Sequence, residues 1–379
     1  MAPQLPDPLI FFELLIRVPV KSLARFKCVN RFWCSSISHS DFIYTHLEAA
    51  KRLYDHSCLI ISCLVHDDNL CNSSTLYFYL IRDDHEPAVL EYSTQVSYDS
   101  YHFLPSCNGL VCFYGAHAAG IYVCNPSTKN IVRIPDSTET GSRLLSCGFG
   151  FDQRTRNYKI IKISNVADDD DLQIIEMLTM GTSSWRAVKI INGRFGFPNR
   201  QPPVFANGFF YWISAFENSS GFFIQSFDIG RESFGIIHVP ESVSRKDWRL
   251  FSLEALGGDQ LCLVDMDIES EGKKRMDLWL FKFGVFVVSD CDDDYQKKKP
   301  GYYWVQETIL HPSEPLDATR PVAFRGREIL LHGFIRGLDD VINWYDLQTG
   351  RFRGVDIGEI PSMYFHVRSH VESIVSLQI

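Results

Sequence analysis

The sequence predicts an α+β, multidomain chain: a small helical unit over residues 5–47, a linker at 48–56, and a large all-β domain over 57–379. Three observations predict it. Apolar residues recur at three- and four-residue steps through about the first fifty positions, and in short or alternating runs beyond them. Gly, Asn, Asp and Pro separate those later runs. The separators themselves recur at a coarse interval.

In the helical unit, Glu13 is the one polar residue between Leu9 and Ile16. At about 100° per residue, Phe11, Phe12, Leu14, Leu15 and Ile16 point in nearly every direction, so a single face cannot bury them all. Pro19 ends this first helix. Leu23 and Phe26, then Val29, Phe32, Trp33 and Ile37, space two more short helices, and Ser40 caps a fourth that carries Phe42, Ile43 and Leu47. A unit of roughly 40 residues rarely closes a stable core by itself, and its surplus apolar surface predicts a docking site.

The β domain begins with CLIISCLV (58–65) and TLYFYLIR (75–82). It continues through GIYVC (120–124), YKIIKI (158–163), LQIIEML (172–178), FFYWI (209–213), LCLVDM (261–266), MDLWLF (276–281), YYWVQETI (302–309), EILLH (328–332) and VINWYD (341–345). Asn108-Gly109, Asn207-Gly208, Gly257-Gly258 and Arg325-Gly326 each precede such a run, at intervals of 99, 50 and 68 residues. That spacing suits a unit of about 50 residues, with an insertion in the third interval. These glycines supply the positive φ of tight hairpin turns. Asn125, Asp152, Asp228 and Asp346 each follow a run and bring Asx-turn chemistry. At about 11 residues per strand and loop, the domain holds on the order of 24 to 30 strands, or six to seven four-stranded blades of a β-propeller.

Charge and motifs exclude several functions. The 37 Lys and Arg against 46 Asp and Glu give a net charge of −9, with no basic cluster, so nucleic acid is not an expected partner. The apolar run at Leu9 is broken by Glu13 and Arg17, which fits neither a signal peptide nor a membrane span and predicts a cytoplasmic or nuclear protein without a membrane partner. Eleven cysteines scattered through strands read as small buried hydrophobes in a reducing compartment. No GxSxG, Walker A, HExxH or CxxC pair occurs, so no catalytic residue, metal site or cofactor is expected. His366 and His370 have the spacing of helical zinc ligands but fall in a strand-like stretch, and Gly148 and Gly150 read as a strand kink rather than a nucleotide loop. Asp168 to Asp171 reads as a solvated hairpin tip. The acidic and basic stretch from Asp290 to Gly301 is the expected insertion and a candidate recognition loop. Trp185, Trp212, Trp279, Trp304 and Trp344 are expected in the core.

The order Leu5-Pro6, Glu13-Leu14-Leu15, Arg17-Val18-Pro19-Val20-Lys21-Ser22-Leu23, Arg25-Phe26-Lys27-Cys28-Val29, Trp33, Ile37-Ser38 and Phe42-Ile43 resembles a plant F-box. The resemblance implies a three-helix unit that docks on the Skp adaptor of a Skp-cullin-F-box (SCF) ubiquitin ligase. It assigns contact with the adaptor, or support of that surface, to Leu5, Pro6, Leu14, Leu15, Pro19, Leu23, Arg25, Cys28, Val29 and Trp33. SCNGLVCF (106–113), YVCNPSTKNIVRIP (122–135), GFGFDQRTRNYKIIKI (148–163), Gly181 to Arg186 and HVESIVSL (370–377) resemble the plant F-box-associated domain, which has kelch-like repeats and includes S-locus F-box-like members. That resemblance implies a non-catalytic substrate receptor: the F-box binds the adaptor and through it a cullin, and the β domain binds a target protein for ubiquitylation. The substrate-binding loops are not assigned. The alternative is a protein-interaction scaffold on the same propeller that works outside ubiquitylation.

Overall fold

Residues 13–53, 58–66, 73–115, 120–137, 144–166, 169–192, 202–215, 222–244, 246, 251–257, 259–268, 274–288, 297–310, 316–335, 340–362 and 365–377 are described by a computed structural model. After a helical turn at 13–15 come α1 (Val20–Phe26), α2 (Arg31–Ser38) and α3 (Ser40–Leu53). Pro19 precedes α1, and its carbonyl accepts from the amides of Ser22 and Leu23 at 2.9 and 3.1 Å. The Asn30 side chain caps α2 by accepting from the Trp33 amide at 2.9 Å. His39, with extended backbone, separates α2 from α3. Residues 48–53, expected in a linker, are instead the last turns of α3. Leu47 and Ala50 keep one face of that helix buried, and Lys51 and Arg52 suit its C-terminal end. Of the expected first helix, residues 9–12 lie outside the described residues. No helix among the described residues is long and apolar enough to cross a membrane.

The all-β part is a six-bladed propeller. Its first blade joins β1 (Cys58–His66), β2 (Ser73–Ile81) and β3 (Val89–Ser97) to β24 (Phe365–His370), with Ile61 opposite Val367. The second holds β4 (Tyr101–Phe103), β5 (Val111–Gly115), β6 (Ile121–Asn125) and β7 (Asn130–Arg133). The third holds β8 (Leu144–Asp152), β9 (Asn157–Val166), β10 (Asp169–Thr179) and β11 (Arg186–Asn192). The fourth holds β12 (Val204–Ala206), β13 (Phe209–Ala215), β14 (Phe222–Asp228) and β15 (Ser233–Ile237). The fifth holds β16 (Phe251–Leu256), β17 (Gln260–Ile268), β18 (Lys274–Val288) and β19 (Lys297–Leu310), and the sixth β20 (Leu316–Arg325), β21 (Glu328–Ile335), β22 (Asp340–Asp346) and β23 (Phe352–Gly354).

The core lies between neighbouring blades, as where Ile60, Phe78 and Leu80 meet Phe103, Val111 and Phe113. Innermost strands touch in sequence: β8 on β12, β12 on β16, β16 on β20, and β20 on β24. Between β8 and β12 the approach requires glycine, since a Cβ on Gly150 would stand 2.4 Å from the Phe205 ring.

The turn chemistry read from the sequence reappears at fixed places. Asn108-Gly109 and Asn207-Gly208 have φ of 51° and 82° in both pairs, and each joins the first two strands of a blade. Gly257 and Gly326, at φ of 61° and 58°, do the same in the fifth and sixth blades. Asn125, Asp228 and Asp346 accept from backbone amides two and three residues ahead, each between the third and fourth strands of a blade. Asp152 does so between β8 and β9.

Several expectations need correction. Residues 297–301 are strand rather than loop, because the valine- and phenylalanine-rich run at 284–288 pairs with them up to Val288 opposite Lys297; 289–296 lie outside the described residues. Asp168 also lies outside them, and Asp169 to Asp171 begin β10. Cys28 and Cys34 are exposed on the helical unit, whereas Cys63, Cys107, Cys112, Cys124, Cys147 and Cys262 are buried.

Candidate functional site

In a propeller of antiparallel blades, the turns after the first and third strands of every blade share one face. The helices sit on that face. Residues of α1 touch the turn at Pro126–Thr128, Arg156 pairs with Asp41 at 2.8 Å and lies over the Tyr44 ring, and Lys21 pairs with Glu91 at 2.8 Å. Among the described residues, none of these helix contacts falls on the opposite face.

One side of the helical unit is closed. Leu15, Val20, Leu23, Ile37 and Phe42 form a buried cluster with Ile374, which comes from the segment after β24. Burial holds the His46 pKa below its ordinary value, and its Nε2 lies 2.9 Å from the Val18 carbonyl. The other side is open: Leu14 is 61% exposed, Val29 59% and Phe32 47%.

The residues that the sequence assigned to an adaptor surface therefore divide. Leu14, Pro19, Arg25, Cys28 and Val29 are exposed, and Trp33 is half-buried, edge-on to Phe26 at 5.3 Å. Leu15 and Leu23 point inward and shape the surface without forming it. Leu5 and Pro6 lie outside the described residues. Phe32 was missed as a surface residue because it shares three- and four-residue spacing with its neighbours. It stands five positions from buried Ile37, about 140° around the helix, and that angle was the available signal.

The segment 371–377 fastens the helices to the propeller. The buried Asn125 side-chain amide donates to the carbonyls of Ser373 and Val375 at 3.0 and 2.8 Å. Gly109 packs so tightly there that a Cβ would stand 2.4 Å from Ser373 Oγ. Arg82 grips Glu372 through two bonds and also holds the buried Glu91.

At the propeller axis beneath α3 lies a cavity of about 320 Å³, lined by Tyr44, Glu48 and Lys51 on the helix side and by Asn108, Asp259 and Arg325 on the turns. Arg325 lies over the Trp344 ring and pairs with Asp84. In the same wall His370 Nδ1 lies 2.7 Å from Ser106 Oγ. Burial pushes the His370 pKa down to about 4 and the Cys107 thiol up to about 12, so the first stays neutral and the second unreactive at neutral pH. Ser106 also lies 3.3 Å from the Leu110 carbonyl, so the contact with His370 secures the end of β24. His366 and His370 lie on this strand, and among the described residues no cluster of three potential metal ligands occurs.

Residues 58–284 match the family described as F-box associated beta propeller domain. An F-box/kelch-repeat protein of Arabidopsis thaliana is 28% identical over 250 residues, which cover 62% of this chain and 65% of that protein. A second F-box protein of Arabidopsis thaliana is 30% identical over 347 residues, covering 85% of this chain and 84% of its own length. A third is 26% identical over 323 residues, covering 80% and 70%. Among solved structures, prolyl oligopeptidase B from Galerina marginata aligns at a TM-score of 0.40 and 10% identity over 93% of this chain and 57% of that one, too loose a likeness to bear on function.

Proposed function

The chain belongs to the F-box-associated β-propeller family, and from that premise we propose that it is the non-catalytic substrate receptor of an SCF ubiquitin ligase. Its helical unit docks on a Skp adaptor and through it on a cullin, while its propeller holds a target protein. The observation that carries this reading is the open side of the helices. Leu14, Val29 and Phe32 leave apolar surface in water on the side turned away from the buried cluster, which is how a docking patch differs from a cap. The residues proposed to touch the adaptor are Leu14, Pro19, Arg25, Cys28, Val29 and Trp33, with Phe32 added, and Leu15 and Leu23 support them from below. Leu5 and Pro6 belong to the same proposed surface.

With one face of the propeller occupied by the helices, the opposite face is proposed to receive the target. The chain's contribution to ubiquitin transfer is proximity: it holds a target lysine within reach of a ubiquitin carrier borne by other subunits. A cytoplasmic or nuclear location goes with that role.

Co-expression with a plant Skp adaptor followed by size-exclusion chromatography tests the reading. The wild type is expected to run as a one-to-one complex, and a Leu14→Asp, Phe32→Asp variant to run free of the adaptor with its propeller folded. A wild type that ignores the adaptor sinks the receptor reading and leaves an interaction scaffold outside ubiquitylation.

A further inference from the structure

α3 roofs one mouth of the propeller axis without filling it. Tyr44, Glu48 and Lys51 recur at four- and three-residue steps, which puts them on one stripe of that helix. Across the cavity of about 320 Å³ this stripe faces turns from all six blades. Folded proteins leave few voids larger than a water molecule. At about 30 Å³ for each water this space has room for about ten, which places it at the lower end of small-molecule pockets.

The wall is polar but balanced in charge. Lys51, Arg82 and Arg325 stand against Glu48, Asp84 and Asp259, and burial keeps His370 neutral. The cations are already held: Lys51 pairs with Glu48 at 3.1 Å, Arg325 with Asp84, and Arg82 with Glu91 and Glu372 at 3.0 and 2.8 Å. Asp259 is exposed to water. An entering anion would have to compete with those carboxylates for their partners, and breaking such a pair is costly. Pairing still leaves hydrogen-bonding capacity unspent, because an ammonium, a guanidinium and a carboxylate each offer more positions than one partner uses. A hydroxyl both donates and accepts, so it can bond either member of an ion pair without displacing the other. Phe151 and Phe205 add apolar ring surface to the same wall, which suits the C–H side of a saturated ring.

We propose that this cavity is a binding site for a neutral, hydroxyl-rich small molecule of monosaccharide or cyclitol type. The bound molecule touches α3 on one side and the blade turns on the other, so it braces the helical unit against the propeller. Binding to the seated arrangement alone stabilises that arrangement by mass action. The inference goes beyond the receptor reading and does not depend on what the open side of the helices docks to.

Equilibrium dialysis of the full chain against radiolabelled D-glucose, and separately myo-inositol, tests it. Wild type and Arg231→Gln, whose side chain is 85% exposed, are expected to bind at least one of these probes saturably. Glu48→Trp, which fills the space with an indole from the helix side, is expected to lose that binding, and Asp259→Ala to weaken it. Should Glu48→Trp fail to fold, Asp259→Ala still decides. Hydrogen exchange gives a second readout: a saturating probe slows exchange in α3 more than in the outer strands β7 and β11. No saturable binding of either probe, binding that survives in both variants, or binding that leaves α3 unprotected overturns the inference. Saturable binding of acetate or putrescine in place of both polyols overturns it as well, because the site then selects charge. Adaptor capture is measured separately on the same preparations, so the receptor reading stands or falls by itself.

Discussion

Arg82 and Glu372, 290 positions apart, are joined by two hydrogen bonds of 3.0 and 2.8 Å. The same guanidinium reaches Glu91, whose side chain is only 1% exposed and whose other partner is Lys21 of α1. One arginine thus ties the first blade, the segment after β24 and the helical unit together. Arg82→Met leaves the buried Glu91 carboxylate with Lys21 alone, and the expected loss is about 2 to 3 kcal/mol. Urea-induced unfolding measures it. A loss no larger than an exposed ion pair gives, below about 1 kcal/mol, would mean that Glu91 is satisfied without Arg82.

Ile374 and Asn125 seat the helices by apolar contact and by backbone recognition respectively. Ile374→Ala is expected to cost about 2 to 4 kcal/mol and to speed amide exchange in α1 and α2. Hydrogen exchange read by mass spectrometry checks it. Uniform speeding across all six blades would mean that the segment stabilises the propeller as a whole instead.

Neighbours Leu14 and Leu15 should separate binding from folding. Leu14→Asp is expected to change stability by less than about 0.5 kcal/mol. Leu15→Asp places a charge in a cluster where the side chain is 5% exposed and is expected to cost about 3 kcal/mol or more. Paired denaturation curves decide, and equal losses would mean that the helical unit sits differently on the propeller.

Gly150→Ala drives a Cβ into the Phe205 ring and is expected to cost about 1 to 3 kcal/mol. Phe205→Ala in the same chain should recover part of that loss, because the clash disappears with the ring. A double-mutant cycle measures the coupling. Strict additivity would mean that the two blades move apart freely.

His366 and His370 predict the acid limb of stability. Burial lowers both, to about 3 and about 4, from an ordinary 6.5. Between those values and 6.5 the unfolded chain binds more protons than the folded one, so stability falls as pH drops through that window. Denaturation midpoints from pH 7 to 4 test the slope, and His370→Gln should flatten it. An unchanged slope in that variant would show that His370 titrates normally.

What the sequence revealed was local. Asn108-Gly109 declares its turn because a non-glycine and a glycine must both take positive φ there, and Asp228 declares its own by offering an acceptor to amides two and three residues on. Short or alternating apolar runs marked the strands, because a strand's side chains face the two sides of its sheet in turn. The pairing of β1 with β24 was invisible, since nothing near Cys58 specifies a partner at His370. The helices revealed which residues are apolar but not which stripe this chain covers itself. Leu15 lies against Ile374 and Leu14 faces water, a distinction set by a segment more than three hundred residues away. The place of β24 in the first blade carried no signal either, because that neighbourhood exists only once the ring of blades is closed.

That closure has a consequence for how the protein is made. On the ribosome the helical unit emerges before the blades, but β24 and the segment bearing Ile374 follow β1 to β23. Until they arrive, the first blade lacks its inner strand and the helices lack their seat. A chain cut short by an interrupted message would lose both together. Such a fragment would present its unseated helices and an open sheet edge to the quality-control machinery, so the fold itself couples completion of synthesis to assembly of the helix-bearing face.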